Sequence, residues 1–269
     1  MKTTDTKHWK ILFVTQDDPF YVKLFFEEFY QACEFLEEIV GIVIAEPMGK
    51  RSRAKLARQM LDFYGPADFL RVGMKYAAMK ALAYAPGVLR GNGFSSLQQL
   101  SKKKGIRVMP GDNINAPDFL EKIDSMDLDL IVSVAAPVIF KKELLGVPKH
   151  GCINIHNGKL PKYRGMLPNF WQMYHNEKNV GITIHEINPK IDDGRIILQK
   201  EVEILPGETL DSLIKRTKRE GAHLMIEAIS RLKTGNVQYR ENRALEGTYF
   251  SFPNKKEVQE FKQRGKRIV

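Results

Sequence analysis

Short apolar runs alternate with stretches of helical periodicity along most of this chain. Residues 11–14 and 39–45 are such runs, and their β-branched and aromatic side chains are typical of buried strands. Residues 20–38 lie between them and repeat their apolar side chains at helical spacing. The order strand, helix, strand predicts an α/β fold with a mostly parallel, twisted sheet and helices on both faces.

The same alternation continues through the rest of the sequence. It predicts further strands at 106–109, 129–134, 152–156, 181–187 and 195–204, and helices at 53–64, 66–84, 97–104, 113–125, 168–175 and 209–233. We therefore predict a main domain over residues 1–236 with a helical insertion around 50–93. A short basic extension with one further helix is expected at 237–269.

Composition limits the class of protein. The chain has 269 residues, 43% of them hydrophobic, which is enough for a globular core. No apolar stretch reaches the length of a transmembrane helix, and the first residues lack the pattern of a secretory signal. Cys33 and Cys152 are isolated and do not make a disulfide framework. We therefore expect a protein of the reducing cytoplasm.

The net charge of +10 favours anionic partners such as nucleotides, RNA or an acidic membrane surface. Residues 50–90 hold nine Lys and Arg against two Asp, and residues 255–267 form a second basic cluster. A well-solvated basic surface explains the same numbers. We expect residues 66–84 to pack on the core or to form a homodimer face, and a peripheral membrane contact stays open.

The candidate chemistry lies between residues 151 and 194. Asn154 and His156 occupy alternate positions near the end of a predicted strand, so both face one side at the edge where open parallel sheets bind ligands. Asp192 follows in a polar turn. An amide can donate to an oxyanion, an imidazole can move a proton, and a nearby carboxylate raises the imidazole pKa. This set suits addition to a carbonyl group.

Other interpretations compete with this one. An Asn-x-His pair on a strand is more often structural than catalytic. A metal site is a rival because several potential ligands are close in sequence, namely His150, His156, His185, Asp192 and Asp193. Their spacing matches no His-x-His or His-Glu-x-x-His motif and no cysteine pair is present, so we expect no metal. No Gly-x-Ser-x-Gly motif supports a serine nucleophile either.

The combined motif is more specific than its parts. GCINIHNGKLPKYRG at 151–165, Pro168 and GITIHEINPKIDDG at 181–194 resemble the signature of the folate-dependent formyltransferases. That family includes glycinamide ribonucleotide transformylase, methionyl-tRNA formyltransferase and sugar-nucleotide N-formyltransferases. The resemblance covers roughly residues 9–235 and implies a Rossmann-like fold. It implies Asn154, His156 and Asp192 as catalytic residues and 10-formyltetrahydrofolate as the formyl donor.

The resemblance also implies where the pterin of the donor binds. The two matching loops contain Val138, Ile139 and Phe140, and Asn188, Pro189, Lys190 and Ile191. Backbone groups would read the heterocycle while Ile139 and Phe140 supply apolar walls. Ordinary core packing is the alternative for these two side chains.

The chain departs from the family pattern near the site. Relatives often have Ser-Leu-Leu-Pro where this chain has Gly158, Lys159, Leu160 and Pro161. The Lys159 charge implies either a different acceptor or a side chain turned to solvent. The segment after Asn236 is shorter than the β-barrel that methionyl-tRNA formyltransferases use to hold tRNA. We therefore expect transfer to a primary amine of a nucleotide- or lipid-linked amino sugar.

A phosphate on this acceptor would bind near Lys159, Lys162 and Arg164, although basic residues in a rim loop are often only solvated. Three alternative functions stay open. The first is a methionyl-tRNA formyltransferase without the barrel, whose basic patches contact RNA. The second is a formyltetrahydrofolate hydrolase, and the third is a folate-binding protein without activity.

Overall fold

A seven-stranded sheet forms the centre of the molecule. The computed structural model describes residues 8–46, 53–84 and 96–269, and the strands are numbered here in chain order. They are β1 Ile11–Thr15, β2 Ile39–Ala45, β3 Val108–Gly111, β4 Leu130–Val134, β5 Cys152–His156, β6 Arg164–Gly165, β7 Asn179–Glu186, β8 Ile196–Glu203 and β9 Tyr249–Phe250. The sheet has the order β3-β2-β1-β4-β5-β7-β8, while β6 and β9 form a separate parallel pair.

Strands β1 to β5 run parallel, β7 is antiparallel to β5, and β8 is antiparallel to β7. This arrangement confirms the predicted mostly parallel sheet. The carboxyl ends of β1, β4 and β5 therefore meet at one edge, where the candidate residues lie.

Helices cover both faces of the sheet. They are α1 Val22–Ala32, α2 Arg53–Tyr64, α3 Pro66–Tyr84, α4 Leu97–Lys103, α5 Pro117–Asp124, α6 Lys142–Leu145, α7 Pro168–Tyr174, α8 Leu210–Lys233 and α9 Lys255–Gln263. On β1, Phe13 packs with the aromatic side chains of α1, whereas Leu12 joins a second cluster that contains Ile123 of α5. The alternation along β1 thus separates two hydrophobic cores.

Several predicted boundaries need correction. The helix expected over 20–38 ends at Ala32, because Cys33 is extended, and a short 3-10 turn at Leu36–Glu38 leads into β2. The strand expected at 106–109 forms at Val108–Gly111, where it pairs with β2.

The helical insertion forms two helices in its described part. Both α2 and α3 have the predicted bounds, and residues 50–52 and 85–93 of the insertion lie outside the described residues. Leu70 and Met74 of α3 are 63% and 59% exposed, so these two side chains do not pack on the core. The alternative expectation for α3, a homodimer face, stays a prediction.

The segment after residue 236 packs against the main domain. Phe261 of α9 is fully buried and stacks on Phe170 of α7 with 4.7 Å between ring centroids. The carbonyls of Arg267 and Ile268 accept hydrogen bonds from backbone amides at the start of α8. These carbonyls satisfy donors that a helix leaves unpaired in its first turn. The division of the chain at residue 236 stays a prediction.

Cys33 is half-buried, Cys152 is buried, and both are free thiols. Among the described helices none combines the length and the apolar character needed to cross a bilayer.

Candidate active site

Three chain segments bring the candidate residues together. Strand β5 carries Asn154 and His156, and the antiparallel register of β7 places His185 directly opposite Asn154. The loop between β7 and β8 returns Asp192 to the same group. The Asp192 carboxylate lies 3.5 Å from Nδ1 of His156 and 3.6 Å from Nε2 of His185. The two histidines, the amide and the carboxylate therefore form one cluster beside the carboxyl end of β5.

His185 is a site residue that sequence reasoning considered only as a metal ligand. Its Nδ1 donates to the carbonyl of Glu186 at 2.7 Å, so its Nε2 carries a lone pair. The Nδ2 group of Asn154 donates to that nitrogen at 3.1 Å. An amide has two hydrogens on this nitrogen, and the second one remains available to a ligand oxygen. His185 thus fixes which way the Asn154 amide points.

His156 is buried, with 7% of its surface exposed. Its Nε2 donates to the carbonyl of Tyr163 at 2.7 Å, which leaves Nδ1 facing Asp192. The His156 ring fits here because residue 158 is a glycine. A Cβ at position 158 would lie 2.5 Å from Nε2 of His156 and 2.8 Å from the Tyr163 carbonyl. Gly158 therefore leaves room for the ring of the candidate catalytic histidine.

The ionisation of the pair differs from the expectation. Burial lowers the pKa of His156, and it outweighs the Asp192 charge and the Tyr163 hydrogen bond, which both favour the charged ring. The expected raising effect of Asp192 is present but does not determine the net direction. At neutral pH His156 is therefore neutral, with its proton on Nε2.

Asp192 is ionised. Burial alone would raise the pKa of its carboxyl, but the two histidines and the Gly165 amide hold it well below its usual range. The Gly165 amide donates to Oδ2 of Asp192 at 2.9 Å. The site therefore holds a fixed negative charge beside an imidazole that can gain a proton on Nδ1.

The two loops expected to contact a pterin differ in exposure. Ile139 and Ile191 are 60% and 50% exposed, and Pro189 and Lys190 are also at the surface. Val138 and Asn188 are half-buried, and Oδ1 of Asn188 accepts from the Lys190 amide, which supports the turn. Phe140 is buried in the smaller core, as the packing alternative held. Ile139 and Ile191 are therefore the side chains that present apolar surface to a ligand.

The three basic residues of the rim loop have different environments. Arg164 is buried and paired with Asp193 at 2.7 Å, so its guanidinium supports the protein and does not face an acceptor. Lys159 forms an exposed ion pair with Glu201, and Lys162 is exposed. The expected phosphate contact therefore finds no support at Arg164.

Lys218 lies near His156, although no sequence motif predicts it as a site residue. Nζ of Lys218, on α8, lies 3.3 Å from Oδ1 of Asn157. Burial lowers the pKa of Lys218, while the charge of Asp18, which follows β1, acts in the opposite direction. The amphipathic pattern of α8 assigns position 218 to a helix but cannot reveal that its side chain reaches the β5 loop.

One group of residues in the described ranges could offer three ligand atoms to a metal ion: His8, Glu37 and Glu38. It precedes β1 and β2, at the sheet edge opposite the candidate site, and Glu38 already pairs with Lys233.

Comparisons with known proteins place this geometry in a family. The formyl transferase profile matches residues 93–229, just over half of the chain. The chain belongs to the formyl transferase family. Its matched region contains β5, the β7–β8 loop and most of α8, and therefore the whole candidate cluster. The resemblance inferred from the motif is thus confirmed.

Two curated relatives show how far the likeness of this chain extends. A methionyl-tRNA formyltransferase of Thermotoga neapolitana is 31% identical over 205 residues, which are 73% of this chain and 66% of that protein. One of Trichlorobacter lovleyi is 35% identical over 141 residues, 52% of this chain and 45% of that protein. The chain thus spans about half to two thirds of the length of these curated relatives.

A solved structure of glycinamide ribonucleotide transformylase 1 from Symbiobacterium toebii matches with a TM-score of 0.60 and 16% identity. The match covers 88% of this chain and 93% of that chain. At this identity the likeness shows the fold, which is the predicted Rossmann-like arrangement.

Proposed function

We propose that this formyl transferase moves a formyl group from 10-formyltetrahydrofolate to a primary amine. The observation that carries the proposal is the contact between Asp192 and His156, beside the Asn154 amide that His185 orients. These groups provide a hydrogen-bond donor for a developing oxyanion, a base and a fixed negative charge within one cluster.

The residues divide the reaction between them. The Asn154 amide donates to the formyl oxygen as negative charge develops there. His156 accepts the proton that the acceptor nitrogen loses on forming its bond to the formyl carbon, and Asp192 stabilises the resulting imidazolium. His156 then delivers this proton to N10 of the folate as the bond from N10 to the carbon breaks. The products are a formamide and tetrahydrofolate, so atoms and protons balance.

The loops beside the cluster fit the pterin of the donor. Exposed Ile139 and Ile191 offer apolar surface, and backbone groups of the two loops offer hydrogen bonds to a heterocycle. The donor supplies the activated formyl group. The chain supplies binding, orientation and proton transfer.

We propose an amino sugar as the acceptor, carried on a nucleotide or a lipid phosphate. Lys218 suits a negatively charged acceptor, because its Nζ lies beside Asn157, the residue that follows His156, and a bound anion would favour the charged form of this buried amine. Sugar N-formyltransferases, such as one from Shewanella with a TM-score of 0.55 and 20% identity, have the same fold. Fold analogy alone does not select an acceptor.

An acceptor screen tests the proposal. Purified protein is incubated with 10-formyltetrahydrofolate and a panel of nucleotide-linked amino sugars, and products are detected by the mass gain of a formyl group. Formylation of one panel member, lost in His156→Ala, is the expected result. No formylation of any amine by folded protein that binds the donor would count against the proposal.

A second acceptor has a specific observation in its favour. Relatives at 31% identity and above are methionyl-tRNA formyltransferases. Methionyl-tRNA therefore belongs in the same screen, with a gel-shift measurement at rising salt concentration, because binding through phosphates weakens as salt increases. Release of tetrahydrofolate at full rate without any acceptor would identify a hydrolase instead.

A further inference from the structure

Residues 240–250 reach the turn that carries Asp192, although they lie beyond the region matched by the family profile. Asn242 is buried, with 6% of its surface exposed. Its Nδ2 group donates to the carbonyl of Asp192 and to the carbonyl of Gly194, each at 2.9 Å. A single amide group therefore holds the turn on both sides of Asp193.

The turn requires such support. Asp192 has a φ of +50°, in the left-handed region that residues other than glycine seldom adopt. The carboxylate above this backbone contacts His156, His185 and the Gly165 amide. A small rotation of the Asp192 backbone would change all three contacts together.

Arg164 fixes the orientation of the Asn242 side chain. Its Nη2 donates to Oδ1 and to the backbone carbonyl of Asn242, both at 3.0 Å, while its Nη1 bonds to Asp193 at 2.7 Å. Because the guanidinium occupies Oδ1, the amide presents Nδ2 to the two carbonyls of the turn. An aspartate at position 242 would present an acceptor to these carbonyls and would lose both bonds.

Residues 240–250 also hold strand β6, whose Gly165 amide donates to the Asp192 carboxylate. The Arg164 amide donates to the carbonyl of Thr248, and the Met166 amide donates to that of Phe250, each at 2.9 Å. Between them lies Gly165, whose φ of +93° and close approach to the Phe250 carbonyl leave no room for a Cβ.

We propose that Asn242 is a positioning residue for Asp192 and that the Asn242 side chain and the backbone carbonyls of Thr248 and Phe250 form a strap that completes the active site. The strap lies outside residues 93–229, the region that the family profile matches. Its kinetic consequences rest on the proposed formyl transfer, whereas its effect on the Asp192 carboxyl does not.

The kinetic test compares wild type with Asn242→Asp and Arg243→Ala. Arg243 is the matched control, since it is adjacent in sequence and its side chain is 70% exposed. We expect Asn242→Asp to lower kcat by roughly tenfold or more, with a smaller change in KM, because small misplacements of catalytic groups cost large factors in rate. The acidic limb of the kcat profile should also move to higher pH, as Asp192 loses the contacts that keep it ionised. Arg243→Ala should behave like wild type.

A carbon-13 NMR titration of the Asp192 carboxyl, assigned with Asp192→Asn, reads the same effect without any substrate. The expected result is an upward shift of its titration midpoint in Asn242→Asp. A wild type without transferase activity would contradict the proposed function and leave this titration informative. Should Asn242→Asp fail to fold, Asn242→Ala removes the donor without adding a charge. An unchanged Asp192 titration in either folded variant overturns the strap.

Discussion

Asn154 and His156 lie two residues apart on β5 but have different partners. Asn154 donates to His185 on the neighbouring strand, whereas His156 bonds to the Tyr163 carbonyl of the loop that follows its own strand. The amide therefore has a second hydrogen to offer, and the imidazole has a free nitrogen facing Asp192. These different partners support a hydrogen-bond donor role for Asn154 and a proton-transfer role for His156.

Removal of each group tests these roles. Asn154→Ala, His156→Ala and Asp192→Ala should each lower turnover by about 10²- to 10⁴-fold, the range typical of oxyanion donors and general bases. The measurement is kcat with the acceptor found in the screen, together with circular dichroism to show that each variant is folded. His223→Ala, on α8 with a side chain that is 53% exposed, is the control and should keep wild-type turnover. Near-normal transfer by any of the three folded variants would contradict the role assigned to that residue.

Gly158 offers a finer test of the His156 position. A methyl group at 158 would meet the imidazole at 2.5 Å, so Gly158→Ala should displace the ring from the Tyr163 carbonyl. We expect a fall in kcat of roughly tenfold or more, as for other small misplacements of catalytic groups. Gly146→Ala is the matched control, because its added Cβ would meet nothing closer than 3.6 Å. Equal kcat in the two variants would show that turnover does not depend on the position of the His156 ring.

The buried histidine also predicts how stability depends on pH. Burial lowers the pKa of His156 in the folded protein, so below its ordinary value of about 6.5 the unfolded chain binds a proton first. The free energy of unfolding should therefore fall as pH decreases from about 6.5 towards the lowered value. Asp192 adds a loss at lower pH, because its depressed pKa stabilises the folded state only above the ordinary carboxyl range.

Urea unfolding at pH 7 and pH 5.5 measures this effect. Wild type should lose more stability between the two conditions than His156→Asn, in which the titrating ring is absent. Identical pH dependence in wild type and His156→Asn would exclude a neutral, buried His156.

At the scale of elements, sequence periodicity predicted the strands and helices that are long and locally patterned. Strand β2 and helices α2 and α3 have the expected bounds. The pairing of β6 with β9 escaped prediction, because these two-residue strands have no alternation to detect. It pairs Arg164 with Tyr249 and Gly165 with Phe250. Beside this pair the Tyr163 amide donates to the Thr248 hydroxyl, 85 residues away.

The sequence likewise predicts only part of the candidate site, because some of its residues are brought in by long-range contacts. Asn154, His156 and Asp192 were recognised through a motif, and the structure brings them together. His185 depends on the antiparallel register of β5 and β7, which periodicity does not set. Arg164 looked like a free basic residue of a loop, whereas its partner Asn242 is 78 residues away.

The contact between α9 and α7 predicts how the C-terminal segment contributes to stability. Phe261 is fully buried and stacks on Phe170, so Phe261→Ala should lower the free energy of unfolding by about 3–5 kcal/mol, the usual cost of removing a buried phenylalanine. Chemical denaturation measures the change. Lys256→Ala, on the exposed face of α9, is the control and should have little effect. A small effect of Phe261→Ala would show that α9 is dispensable to the main domain.

At the scale of the whole molecule, charge and exposed apolar surface coincide on α2 and α3. Leu56, Leu70 and Met74 are 46%, 63% and 59% exposed, and Lys55, Arg58, Arg71 and Lys75 are exposed on the same helices. The ring of Phe20, in the loop after β1, lies 6.0 Å from that of Tyr76 on α3. The helix pair therefore lies on the same side of the sheet as the carboxyl end of β1.

Of the two contacts left open by the sequence, we propose on the basis of charge that α2 and α3 meet an acidic bilayer and not a second copy of the chain. A symmetric dimer through α2 and α3 would bring two basic surfaces together, whereas apolar side chains among basic ones are typical of helices at anionic membrane surfaces. The protein should co-sediment with vesicles of mixed phosphatidylglycerol and phosphatidylcholine and be released by high salt. Leu70→Glu combined with Met74→Glu should abolish binding, whereas Leu245→Glu, at a fully exposed position, should not. A concentration-dependent dimer in light scattering without vesicle binding would favour the dimer face instead.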